Sequence, residues 1–217
     1  MANSPDSPRI LKGGIALIDN QTAKVIRIIP LQYNPETLTR SLQIRGVAAE
    51  SGDHLEALRL KGPPVETIKL EVEIDATDQL EQGNSQVSSN GIHAQLAVIE
   101  LIVYPTSSTL FANNAQASSG SLEIAPAQGP LTVFIFGPKR ILPVRFTELS
   151  ITEEAFDVNL NPTRAKVSLG MRVLTVDDLG FDAKGGGLFM AYLQAKEQLA
   201  EKATPGSFSS LGITGIP

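Results

Sequence analysis

The chain has 217 residues, 42% of them hydrophobic but only 5% aromatic and none Trp, so a core must be built from Leu, Ile and Val, which suits sheets. Its net charge of -5 with scattered Lys and Arg offers no basic track for a phosphate backbone, and the lack of Cys excludes a disulfide framework, a zinc knuckle and thiol chemistry. No apolar run approaches the ~20 residues that cross a bilayer as a helix, and the opening MANSPDSPR lacks the layout of a secretion signal, so a soluble, cytoplasmically made protein is expected.

Residues 1–9 mix two prolines with Ser, Asn and Asp and are expected to form a disordered arm. Residues 10–18 and 24–31 predict two strands of an opening hairpin, separated by the turn-forming Asp19-Asn20-Gln21. Pro35 stops the second strand, because it cannot donate to a ladder and pushes Asn34 out of the helical region. Residues 39–47 alternate Leu42 and Ile44 with Arg40 and Arg45, another strand, whereas 48–60 show no period to assign. After Gly62-Pro63-Pro64, residues 66–77 set Ile68, Leu70, Val72, Ile74 and Ala76 against Lys69, Glu71, Glu73 and Asp75, a strand with one dry and one acidic face.

Residues 78–91 read as polar loop. From Ile92 to Tyr104 the spacing of Ile92, Leu96, Ile99 and Val103, with Ala97 and Leu101 beside them, predicts a helix apolar nearly all round and ended by Pro105. Such a helix is expected to bury itself against a sheet or a neighbouring subunit. Residues 106–130 form a long Ser, Asn, Ala and Gly-rich connection, mobile or ordered by a partner. Residues 131–136 are continuously apolar, a short strand buried on both faces. Residues 142–175 predict two long strands joined by an acidic, Asn/Pro-rich connection. In the second, Ala165, Val167, Leu169, Met171 and Val173 point one way and Lys166, Ser168, Gly170 and Arg172 the other. Gly185-Gly186-Gly187 then lead flexibly into an amphipathic helix at 188–201, with Leu188, Tyr192, Ala195 and Leu199 as its stripe, and a Ser/Gly-rich tail follows from 203.

Little here points to catalysis. The two histidines, His54 and His93, are too few for a zinc site and read as packed or surface residues. Glu153, Glu154 and Asp157 could in principle hold a cation or serve as acid and base, but a solvated loop or a subunit contact is the expectation. Gly180 and Gly185 have phosphate-loop spacing, yet Gly186 stands where Lys is needed. No metal, cofactor or enzymatic activity is expected. Glu71, Glu73 and Asp75 serve solubility, or else line the lumen of a ring past which cargo slides. Val167, Leu169 and Met171, with Glu153, Glu154 and Asp157, are the candidate subunit interface, and the long strands at 142–151 and 165–175 the candidates for stacking on a next ring.

Four stretches carry a resemblance: Leu31-Gln32-Tyr33-Asn34-Pro35-Glu36-Thr37-Leu38; Gly62-Pro63-Pro64 with the strand at 66–75; residues 91–105 ending in Val103-Tyr104-Pro105; and Phe136-Gly137-Pro138 through Leu174. The last contains Ile151-Thr152-Glu153-Glu154-Ala155-Phe156-Asp157 and Leu160-Asn161-Pro162. As a set they resemble the tube and baseplate proteins of contractile injection systems, relatives of phage tail-tube proteins. The resemblance implies a mainly β (α+β) tail-tube-like fold, two antiparallel sheets or a barrel with a flanking helix, plus a short C-terminal helix. The implied layout is an arm at 1–9, a tail-tube-like domain at 10–180, and a linker, short helix and flexible tail at 181–217. It further implies six copies in a ring that adapts a spike hub protein to an inner tube protein, among other baseplate and sheath components, in a cytoplasmic phage tail-like particle, with neither nucleic acid binding nor membrane insertion. The alternatives are a shaft subunit of the inner tube, or a cell-wall-binding module, since many relatives carry a LysM module that has no counterpart here.

Overall fold

The computed structural model describes residues 10–46, 59–81, 83–118 and 128–216. The alternating segments become strands β1 (Gly14–Ile18), β2 (Val25–Pro30), β3 (Leu38–Gln43), β4 (Val65–Asp75), β5 (Leu131–Ile135), β6 (Ile141–Phe156) and β7 (Pro162–Val173). Between and after them lie helices α1 (Thr77–Glu81), α2 (Ser85–Asn90), α3 (His93–Glu100), α4 (Ser107–Ser118), α5 (Val176–Leu179) and α6 (Lys184–Glu201). The expected arm at 1–9, the unassigned stretch at 48–58 and His54 lie outside the described residues.

All the described strands join one antiparallel sheet in the order β2-β1-β5-β6-β7-β4-β3. This corrects the expectation of two sheets or a closed barrel. Its centre is a set of cross-strand rows. Met171, Leu169, Val167 and Ala165 of β7 sit opposite Ile68, Leu70, Val72 and Ile74 of β4. On the other flank Met171, Leu169 and Val167 meet Phe146, Leu149 and Ile151 of β6. Because the side-chain period is two, this register puts Ile68, Leu70, Val72 and Ile74 of β4 and Ala165, Val167, Leu169, Met171 and Val173 of β7 on one face, where they are buried. The register of β6 shifts between Phe146 and Glu148, and there a Cβ on Gly170 would come within 2.9 Å of the Glu148 Cβ, so glycine fits the irregularity. Strand β5 lies between β1 and β6 and is buried on both faces as expected. Phe134 joins the large core with Ile15 and Leu142, and Leu131 and Val133 join a smaller cluster with Ala16 and Ile18 on the reverse side.

The sheet curls without closing. Strand β3 pairs only with Val65–Leu70, half of β4. Past it, the Gln32 carboxamide donates from Nε2 to the Asp75 carbonyl at 2.7 Å and accepts the Asp75 N–H at Oε1, 3.0 Å. One side chain thus makes the pair of hydrogen bonds that a neighbouring strand would make and draws the end of β2 toward the open half of β4.

Several segments expected as loop are helical. Residues 78–91 hold most of α1 and all of α2, the latter capped by the Asn84 side chain, which accepts from the Gln86 N–H at 3.1 Å, and anchored by buried Val87. Part of the expected connection at 106–130 is α4, which buries no residue and so leaves no apolar period to read. The helix expected to reach Tyr104 ends at Glu100. Ile92, Leu96 and Ile99 enter the core while Leu101, Val103 and Tyr104 remain exposed. The triple glycine expected as a flexible lead lies inside α6, because a Cβ on Gly185 would meet Leu179 and one on Gly186 the Gly180 carbonyl. Nor is α6 an appendage: Phe189 and Tyr192 belong to the same core as β4 and β7.

A buried charge fastens this helix. Glu66, only 4% exposed, accepts from Arg40 Nε at 2.7 Å, from the Tyr192 hydroxyl at 3.2 Å and from Lys196 Nζ at 3.3 Å. Arg40 also donates to the Tyr192 hydroxyl at 2.8 Å. Burial pushes the Glu66 carboxyl upward, but the Arg40 hydrogen bond and the charges of Lys196 and Arg40 more than offset it and hold the group below its ordinary value. A carboxyl depressed in the folded state contributes stability above its unfolded pKa, ~4.3, and that contribution is lost as pH falls through the folded value. Glu66→Gln is expected to cost about 2–4 kcal/mol at neutral pH by denaturant melts and to flatten the loss of stability below pH ~4. Val167→Asp, placing a carboxylate in a fully buried row, is expected to cost more than about 4 kcal/mol and abolish the cooperative melt.

Candidate functional site

Strand β5 pairs with β6 only along 141–144, so beyond Val144 the β6–β7 hairpin projects with β4 as its sole flanking strand among the described residues. Its tip is tightly built. Asp157 Oδ1 accepts the N–H groups of Asn159 and Asn161, each at 2.8 Å, and Oδ2 accepts Asn161 Nδ2 at 2.9 Å. These bonds, led by the Asn161 side chain, hold the Asp157 carboxyl below its usual range. The Ile92 N–H donates to the Pro162 carbonyl at 2.8 Å, and Gly91 packs so closely on that carbonyl that no Cβ fits, tying the tip to α3. The loop presents Val158 at 99% exposure and Leu160 at 78%, the latter at φ 63, a conformation that a leucine adopts at a cost.

The acidic trio does not converge. Asp157 is engaged by its own turn, Glu154 pairs with Lys166 Nζ at 2.8 Å, and Glu153 lies exposed on β6. Among the described residues no group of three His, Asp or Glu is placed to hold a metal ion. His93 is the exposed first residue of α3.

Glu71, Glu73 and Asp75 do share the polar face of β4, but not as a bare acidic wall. Arg164 Nε lies 2.8 Å from Asp75 Oδ2 and 3.6 Å from Glu73 Oε1, Ser168 Oγ donates to Glu71 at 3.4 Å, and Lys69 pairs with Glu148 at 3.2 Å. Asp75 is held below its usual value chiefly by the Thr77 hydroxyl; burial opposes this, and the Thr77 N–H and Arg164 add to the lowering. The face is a mosaic of both signs, each exposed pair contributing only ~0–1 kcal/mol.

Val167, Leu169 and Met171 are enclosed by their own sheet, and β7 has strands on both flanks, so neither their side chains nor the β7 edge is open to a neighbour. This corrects their expected place at a subunit contact. The open margins lie elsewhere. Strand β2, VIRIIP, is an edge whose Val25, Ile26 and Ile28 are 56%, 58% and 68% exposed, and at the other edge Leu42 of β3 and the following Ile44 are exposed. The Leu31 N–H donates to the Gly13 carbonyl, so odd-numbered residues of β2 bond to β1 and the peptide groups of Ile28 point outward. A run apolar on both faces predicts burial on both faces, and that signal in residues 25–30 was available in the sequence.

Comparison with protein-family models found no match, nor did comparison with curated proteins. No helix among the described residues is long and apolar enough to cross a membrane.

Leu160→Gly is expected to leave the monomer as stable or up to ~1 kcal/mol more stable by thermal melt, because the side chain is exposed and glycine accepts the positive φ. Any contact made through the tip is expected to weaken in the same variant.

Proposed function

We propose that this protein is a structural subunit of a contractile injection system, forming a hexameric ring that adapts a spike hub to an inner tube. The observation that carries the reading is the apolar edge strand β2, left uncovered at the margin of a curled, unclosed sheet. Unpaired strand edges and exposed apolar side chains together favour pairing with another chain, and a head-to-tail contact whose rotation closes makes a ring. The resemblance of residues 31–38, 62–75, 91–105 and 136–174 to tube and baseplate proteins supplies the ring's setting. In this reading the charge mosaic around Glu71, Glu73 and Asp75 keeps a solvated wall free of apolar patches, and the rigid tip at Val158 and Leu160 meets a neighbouring component. The protein has no catalytic task.

Mass photometry and negative-stain microscopy of the purified chain, alone and with spike and tube proteins, test this. Hexamers or ring-shaped complexes are expected. Ile28→Asp is expected to abolish them while shifting monomer stability by less than about 0.5 kcal/mol, because Ile28 is exposed. A chain that stays monomeric at every concentration and with every partner removes the reading.

A further inference from the structure

Where the sheet fails to close there is a cleft of about 630 Å³, within the size range of ligand sites. One wall is β2, with Ile28 and Pro30; the opposite wall is the uncovered half of β4, with Val72 and Glu73; α3 supplies the floor through Gln95 and Ile99. Both walls are strand edges. The outward peptide groups of Ile28 face away from β1, and on β4 the Asp75 peptide that Gln32 engages points the same way as that of Glu73, one period earlier. The Gln32 carboxamide therefore shows, at one end of the cleft, the bonding that a peptide backbone would make along it.

The polar groups narrow the chemistry further. Lys12 and Arg27 line the cleft and have no carboxylate within salt-bridge distance among the described residues, while the one cleft carboxylate, Glu73, lies 3.6 Å from Arg164. Gln95 Nε2 donates to Gln79 at 3.1 Å, but Gln95 Oε1 is buried without a donor. A buried acceptor without a partner is costly and is satisfied by an incoming N–H or O–H.

We infer that this cleft is a docking site for an extended acidic segment of a partner protein, one that alternates apolar and Asp/Glu residues and adds as a strand between β2 and β4. The backbone bonds to the two edges, apolar side chains face Val72 and Ile99, carboxylates meet Lys12 and Arg27, and a donor reaches Gln95 Oε1. The site belongs to a single chain and does not require the ring, but it uses the outward edge of β2 that the ring contact also invokes, so a docked segment and a neighbouring subunit compete for that edge.

Fluorescence anisotropy with the full chain tests it. The probe is a short fluorescein-labelled peptide alternating glutamate and valine, set against a lysine-for-glutamate counterpart, a version methylated on its backbone nitrogens, and palmitate as competitor. The acidic peptide is expected to bind at least about tenfold more tightly than the lysine peptide, and the methylated one to lose most of its affinity. The double variant Lys12→Glu, Arg27→Glu is expected to weaken binding about tenfold or more with an unchanged melting temperature, since both side chains are exposed. Hydrogen exchange is expected to slow at Ile28 and Glu73 when peptide is bound. Equal binding of the two charged peptides, full affinity in the double variant, or occupancy by palmitate but not by peptide would overturn the assignment. Ring assembly, read by mass photometry, is a separate outcome.

Discussion

Met171, Leu169 and Val167 each pack between an apolar residue of β4 and one of β6, and the position of every other element follows from these rows. Burial at roughly 1.5–3 kcal/mol per large apolar side chain makes them the main source of stability. A slip of β7 by one residue would carry them to the wet face and bring Lys166 and Arg172 inside. The register therefore sets the polar face as firmly as the dry one: Arg164 reaches Asp75 because Met171 lies opposite Ile68.

That same register explains what could be read along the chain. Alternation at 66–75 and 165–173 is local, so the faces of β4 and β7 are legible from one strand at a time, as is the two-sided burial of β5. Which strands become neighbours is not local. Lys166 lies beside Glu154 and Arg164 beside Asp75 only after pairing, so Glu71, Glu73 and Asp75 look like an acidic wall until their partners arrive. The apolar period of β7 was visible, but its place between two strands was not, and burial within one's own sheet looks the same in sequence as burial against a neighbour.

Helices without an apolar stripe were hidden for a different reason. Those formed by residues 77–81, 85–90 and 107–118 bury at most Val87, so no period marks them. The glycines at 185 and 186 signal flexibility by composition, yet the helix there needs them because the 179–180 turn presses against it. Glu66 was legible only as a polar residue at the start of a strand. Its burial depends on Arg40, Tyr192 and Lys196, which converge from separate parts of the chain.

That convergence bears on how the molecule is made. Thr67 pairs with Arg172, and Glu66 waits for Lys196, so contacts of large sequence separation must form before the sheet is whole, a topology that folds slowly. Until residue 173 has left the ribosome the apolar row of β4 has no β7 to cover it, and until residue 196 follows, Glu66 has Arg40 but lacks its second cation. A chain whose apolar row is still uncovered is exposed to aggregation over that interval.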